Sequence, residues 1–296
     1  MFPGQGSQEI GMGDELLEKY SNLLKNTFEE SLGWSLESII NSDDPQLIKK
    51  TNIAQPYIFS ISYCYGIEAI NNLGNPAALI GHSLGEYTAL CLSGYLDFKD
   101  ALKVIAVRGE EMQKAVENSN TTMAAVLTND LNTTIEEINK LNNQGIQIWI
   151  SNYNDPSQIV ISSYIDDMNY LKSNPKAIGA KRVIPLEVAG AFHTEIVSPA
   201  KKPLHDVLNE IDIYEGKIPV YMNVDAKKVD ISSIKENLVN QIDNSVLFSQ
   251  QIQNLNEDID PDLWCHIGPG NVTAGMVRKS ISYKDLKVIN SLESSS

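Results

Sequence analysis

The sequence predicts an α/β protein: a hydrolase-like large domain with a mostly parallel sheet, and a small ferredoxin-like α+β domain inserted into it. Three observations lead there. Strand-like runs alternate with helical periodicities along most of the chain, which indicates parallel strands covered on both faces. Between about residues 123 and 188 the rhythm changes to strand, helix, strand, strand, helix, strand, the split βαβ pattern. Finally, a Gly-x-Ser-x-Gly run joins an apolar strand to a helix.

Apolar residues at helical spacing mark 14–31, 57–73, 85–92, 99–116, 133–142 and 199–209. Strand-like runs cover 77–80, 123–127, 146–150, 158–162, 182–188, 218–223 and 264–267. Polar segments at 117–122 and 189–191 border the middle unit. The large domain is therefore expected over 1–121 and 190–296, and the small one over 122–189. The serine-rich tail, 291–296, reads as unstructured.

Composition narrows the function. The chain has 296 residues, 38 acids against 23 Lys and Arg, and a net charge of −15. Such a chain repels phosphate backbones, so neither nucleic acid nor an anionic membrane is expected as a partner. Forty-two per cent apolar and 21% charged residues fit a folded chain with a sizeable core. Apolar stretches are too short to span a bilayer and no leader pattern is visible, so a cytoplasmic location is expected. Cys64, Cys91 and Cys265 lack metal-ligand spacing. They read as reduced, mostly buried thiols, and no metal site is expected.

The chemistry centres on Gly81-His82-Ser83-Leu84-Gly85. A serine at the tip of a sharp strand-to-helix turn needs neighbours without a Cβ, so that strand and helix can approach. The turn would aim the Leu84 N–H at an oxyanion, helped by the helix N-terminus. A plain helix-starting turn is the competing reading. A serine nucleophile needs a base. His82 should point away from Ser83, and His205 reads as a surface residue on a helix. His193 and His266 both sit at strand exits, and the residues alone do not choose between them. No acid stands out as an orienting partner, Asp225 and Asp262 being merely acidic residues in loops, and a backbone carbonyl could serve instead.

Several blocks in order carry a resemblance across nearly the whole chain. They are Phe2-Pro3-Gly4-Gln5-Gly6-Ser7-Gln8, Gly81 to Tyr87, Val107 to Met112, Asn152 to Gln158 with Val160-Ile161-Ser162, Gly190-Ala191-Phe192-His193, and Gly268-Pro269-Gly270. Together they resemble malonyl-CoA:acyl-carrier-protein transacylases, a family serving fatty-acid and polyketide synthesis. The resemblance implies an S-malonyltransferase with no bound cofactor. Malonyl-CoA would acylate Ser83, which would then pass the malonyl group to the phosphopantetheine thiol of an acyl carrier protein. It implies His193 as the base, the amides of Gln5 and Leu84 as the oxyanion hole, and a monomer.

Arg108 read alone is a surface arginine pairing with Glu110 or Glu111. Within its block, the resemblance makes it a bidentate clamp for the malonyl carboxylate. Phe192 resembles the aromatic residue of malonyl-selective members, and Met112 would line the same pocket. Two departures stand out: the opening strand looks clipped, and Leu247 stands where a glutamine is common in a stretch that could orient His193. An acyl hydrolase acting on carrier proteins, or an inactive docking module, are the alternatives; Arg108 argues against the first and the intact set of residues against the second.

Carrier proteins are generally acidic, so charge distribution matters. Residues 176–228 carry a net charge of +1, while the other 243 carry −16. Lys181, Arg182, Lys201 and Lys202, close in sequence to His193, are candidates for receiving the carrier or CoA phosphates.

Overall fold

A computed structural model of the chain describes residues 1–282 and 284–295. Its strands in chain order are β1 (Leu79–Ile80), β2 (Thr121–Leu127), β3 (Ile148–Asp155), β4 (Gln158–Tyr164), β5 (Arg182–Pro185), β6 (Val220–Tyr221), β7 (Leu263–Ile267) and β8 (Asp285–Ile289). β1 pairs with β6 in parallel, and β7 with β8. Met1 and Phe2 join the two pairs: the Phe2 amide donates to the Ile80 carbonyl at 3.0 Å, and the Ile267 amide to the Met1 carbonyl at 2.8 Å. The short opening segment thus sits in the middle of a parallel layer. The helices Thr51–Leu73, Gly85–Ser93 and Val272–Ser280 pack against it, and Phe98–Val116 packs on the first of these.

The four-stranded sheet is a separate layer, ordered β3-β4-β2-β5 and antiparallel throughout. Its strands alternate sides with period two. Ala124 and Val126 point into a core of their own with Ile138, Ile161 and Leu171, the last two on β4 and on the helix Ile165–Ser173. Met123 and Ala125 point the other way, into the large cavity described below. Main-chain bonds between Tyr153 and Val246 and between Val246 and Ser151, both 2.9 Å, tie this layer to the parallel body.

Local expectations differ from the structure in several places. The expected helix 14–31 is three pieces, Leu16–Lys19, a π-helical turn Asn22–Thr27, and Phe28–Leu32. The next helix begins at Thr51, before Pro56, because its buried face holds the helical turn despite one missing donor. The helices Leu36–Ile40, Ile234–Asn240, Phe248–Ile259 and Val272–Ser280, and strand β8, were not anticipated. The tail is ordered as well: Glu293–Ser295 forms a 3-10 turn, and Asn72 Nδ2 donates to the Ser295 carbonyl at 3.0 Å. Ser296 lies outside the described residues. Among the described residues no helix is long and apolar enough to cross a membrane.

Candidate active site

Ser83 sits between β1 and the helix Gly85–Ser93 with φ of +51°, in the left-handed region that serine seldom adopts. The flanking glycines are sterically required. A Cβ on Gly81 would meet the Gly85 carbonyl carbon at 1.9 Å, and one on Gly85 would meet the Phe2 carbonyl oxygen at 2.4 Å. Two buried amides hold the turn from outside. The Ser83 N–H donates to Asn223 Oδ1 at 2.8 Å, and Asn223 Nδ2 donates to the Gly81 carbonyl at 2.7 Å. Gln241 Nε2 donates to the Ser83 carbonyl at 3.0 Å and to Oε2 of the buried Glu86 carboxyl group. Burial pushes the Glu86 carboxyl up to about 8.

His193 is the histidine that meets the serine. Its Nε2 lies 2.8 Å from Ser83 Oγ, and its Nδ1 lies 2.8 Å from the main-chain carbonyl of Gln241. A carbonyl can only accept, so Nδ1 carries the proton and Nε2 is left to accept from the serine hydroxyl. Burial, followed by the nearby Arg108 charge, lowers the His193 pKa to about 3, so the ring is neutral. Among the described residues no acid pairs with it, so neither Asp225 nor Asp262 orients it. Leu247 does not either; its carbonyl accepts from the Gln251 amide at 2.9 Å. The orienting carbonyl sits just past the end of Ile234–Asn240, where helix termination frees Gln241 to face inward.

The other histidines lie away from the Ser83 hydroxyl. His266 is fully buried, with Nδ1 2.6 Å from Thr273 Oγ1 and Nε2 3.2 Å from the carbonyls of Gly268 and Pro269. His82 turns away from Ser83, placing Nε2 2.9 Å from Asn154 Oδ1 on β3. His205 is exposed on the helix Lys201–Asn209.

Arg108 is not on the surface: it is 1% exposed, and Glu110 and Glu111 pair with Lys114 instead. A Cβ on Gly109 would lie 3.0 Å from the Thr51 carbonyl oxygen, so the glycine allows Phe98–Val116 to cross Thr51–Leu73 closely. That approach brings Arg108 to Gln55, whose Oε1 accepts from Nη1 at 2.7 Å. Nη2 donates to Gln241 Oε1 at 2.7 Å and to Ser83 Oγ at 3.0 Å. Tyr87 lies under the guanidinium at 5.5 Å. Nε has no acceptor, and among the described residues no carboxylate forms an ion pair with Arg108. Burial lowers its pKa.

Gln5, Ser83, Leu84, Arg108, Met112, Phe192 and His193 all line one cavity of about 690 Å³. The amides of Gln5 and Leu84 donate to no acceptor among the described residues. A Cβ on Gly4 would approach the His82 carbonyl oxygen to 2.7 Å, which shows how closely the Gln5 loop runs against the serine turn. Phe192 and Met112 are 5% and 2% exposed on the cavity wall. Among the described residues no cluster of His, Cys, Asp or Glu could hold a metal ion. Asn223, Gln241, Gln55 and the role of Glu86 were not legible in the sequence, because neutral amides form no motif and come together from distant segments. Of the candidate cations, Lys201 is engaged by Asp243 at 2.9 Å and Lys202 by Asp206 at 2.7 Å, whereas Lys181 and Arg182 are exposed without an ion pair among the described residues.

With that geometry established, comparison with known proteins is decisive. Residues 1–292 match the acyl transferase domain family. This chain belongs to that family. Over 283 residues it is 38% identical to the malonyl CoA-acyl carrier protein transacylase of Bacillus subtilis (strain 168), covering 94% of this chain and 89% of that protein. The solved transacylase of Streptococcus pneumoniae superposes with a TM-score of 0.90 at 30% identity, over 99% of this chain and 96% of that one. A malonyl-transacylase solved in complex with its type II PKS acyl-carrier protein gives 0.91 at 29% identity, over 99% and 96% of the two chains.

Proposed function

We propose that this acyltransferase moves a malonyl group from malonyl-CoA, through an ester on Ser83, to the phosphopantetheine thiol of an acyl carrier protein of fatty-acid or polyketide synthesis. The observation that carries the substrate reading is Arg108. A buried guanidinium without a counter-ion costs several kcal/mol, on the order of 3–5 when a buried pair is broken. It is retained next to Ser83 because the acyl group brings the missing carboxylate. Hydrolysis of uncharged acyl groups has no use for such a residue.

In the first half-reaction Ser83 Oγ attacks the thioester carbonyl and its proton passes to His193 Nε2. The amides of Gln5 and Leu84 face the tetrahedral oxyanion. The C–S bond breaks, and His193 returns the proton to the CoA sulfur. In the second half-reaction His193 takes the proton of the carrier's thiol, the thiolate attacks the ester, and Ser83 Oγ leaves with that proton. Phe192 and Met112 limit the space beside the acyl α-carbon and favour malonyl over branched units. Residues 1–121 and 190–296 serve as the catalytic domain, with 122–189 as the inserted one closing the cavity.

Intact-mass measurement tests this directly. Mixing with malonyl-CoA should add one malonyl group at Ser83, and a carrier protein should then remove it. Loading of malonate by Arg108→Ala at the wild-type rate would overturn the clamp.

A further inference from the structure

The cavity holds a second cation that the reaction above does not use. Of its lining residues, Arg108 and Lys49 are the only Lys or Arg among the described residues. They lie at opposite ends. Arg108, Met112, Phe192 and His193 are buried, whereas Glu9, Ile10, Pro45, Glu187 and Val272 are exposed and mark the mouth. Lys49 belongs to the mouth. It precedes the helix Thr51–Leu73, and its Nζ pairs with Glu187, just beyond β5 on the way to His193. The pair therefore links the parallel body to the strand edge of the four-stranded sheet. The Lys49 side chain is 36% exposed and that of Glu187 80%. Lys49 holds the Glu187 carboxyl below its usual pKa.

Donor and acceptor share one feature, a pantetheine arm that ends in a phosphate. The thioester end must reach Ser83 on the floor, so the phosphate end lies toward the mouth. There the protein is net acidic, Glu9 and Glu187 repel an anion, and Arg108 is committed to the acyl carboxylate. We propose that Lys49 binds the phosphate of the pantetheine arm and that Glu187 is its placeholder, released when the phosphate arrives. An ion pair this exposed is worth little, so exchanging it costs little. A phosphate offers more charge and more acceptor oxygens than the carboxylate it displaces. Lysine suits the task as a mobile point charge. This inference rests on the transferase reading.

The test compares malonyl-phosphopantetheine with malonyl-pantetheine, the same thioester without the phosphate, as donors for the enzyme. In Lys49→Ala the ratio of kcat/KM for malonyl-phosphopantetheine over malonyl-pantetheine should fall about tenfold. It should fall further in Lys49→Glu, recover in Lys49→Arg, and rise in Glu187→Gln. Malonyl transfer onto phosphopantetheine and onto pantetheine, compared in the same variants, separates the acceptor's phosphate from the donor's. An unchanged ratio in Lys49→Ala and Lys49→Glu for donors and acceptors alike overturns the inference. Equal losses for the phosphorylated and unphosphorylated compounds also overturn it, because they mark a merely structural lysine. Wild-type enzyme that acylates Ser83 with neither donor overturns the transferase reading itself, and the inference with it.

Discussion

The floor and the mouth of the cavity each present one cation, and the two are held in opposite ways. Arg108 on the floor is 1% exposed and bonds only to neutral groups, two glutamines and the serine hydroxyl. Lys49 at the mouth already has a carboxylate, and water screens the pair. A desolvated charge without a counter-ion is stored electrostatic demand, satisfied only by an anion that enters the site. A solvated pair stores almost nothing and exchanges partners readily. On the proposed reading the floor sets which acyl group reacts, while the mouth influences how the carrier of that group is held.

Substitutions on the floor should have the largest effects. Ser83→Ala should form no malonyl adduct by intact mass, and His193→Ala should slow adduct formation by about 10²–10⁴ in stopped-flow or quench measurements. Near-wild-type acylation by His193→Ala would mean that another group takes the serine proton. Arg108→Ala comes next. Its kcat/KM for malonyl-CoA should fall by about 10²–10³, the cost of losing one partner of a buried charge pair, while acetyl-CoA loses much less. Equal losses with both donors would reduce Arg108 to a structural support for Ser83 and erase the contrast with Lys49.

The same desolvation acts on stability. Burial depresses the folded-state pKa values of His193 to about 3 and His266 to about 4, below the ordinary value of 6.5. Above pH 6.5 both rings are neutral in the folded and unfolded chains and contribute no pH dependence. Below it the unfolded chain takes up protons that the folded chain refuses, so stability falls toward pH 4 by about 1.4 kcal/mol per pH unit for each ring. Chemical denaturation across that range measures the slope, and His266→Asn should remove about half of it while leaving acylation chemistry in place. An unchanged slope in His266→Asn would show that this ring is more solvated than the structure has it. The smallest effect belongs to the wall: Phe192→Ser should narrow the preference for malonyl-CoA over methylmalonyl-CoA by roughly tenfold, the scale set by about one methylene. Competition between the two CoA esters reads this out, and an unchanged preference would move selectivity elsewhere in the pocket.

What was legible in the sequence follows from how local each constraint is. Gly81 and Gly85 announce Ser83 because the clash they avoid lies within four residues of chain and against one neighbouring loop. The split βαβ pattern announces the antiparallel layer because the order of strand-like and helical runs is written along one continuous stretch of chain. The burial of Arg108 was harder to read, since Glu110, Glu111 and Lys114 make the same helix look solvated. Gln241 left no trace at all. It reads as an ordinary polar residue at a helix end, yet its carbonyl orients His193 and its side chain bridges Arg108 to Glu86.

The sequence by itself therefore determined the layered α/β plan and the serine turn, because steric patterns between near neighbours survive in one dimension, while its resemblance to a family pointed to Gln5, Arg108 and His193. The tertiary structure placed His193, and not His266, against Ser83, brought the Gln241 carbonyl to its Nδ1, and revealed that one arginine is buried without a carboxylate while one lysine at the mouth pairs with one. Those are matters of desolvation and of which distant segments converge. A charge's surroundings are fixed by folding, and no spacing along the chain records them.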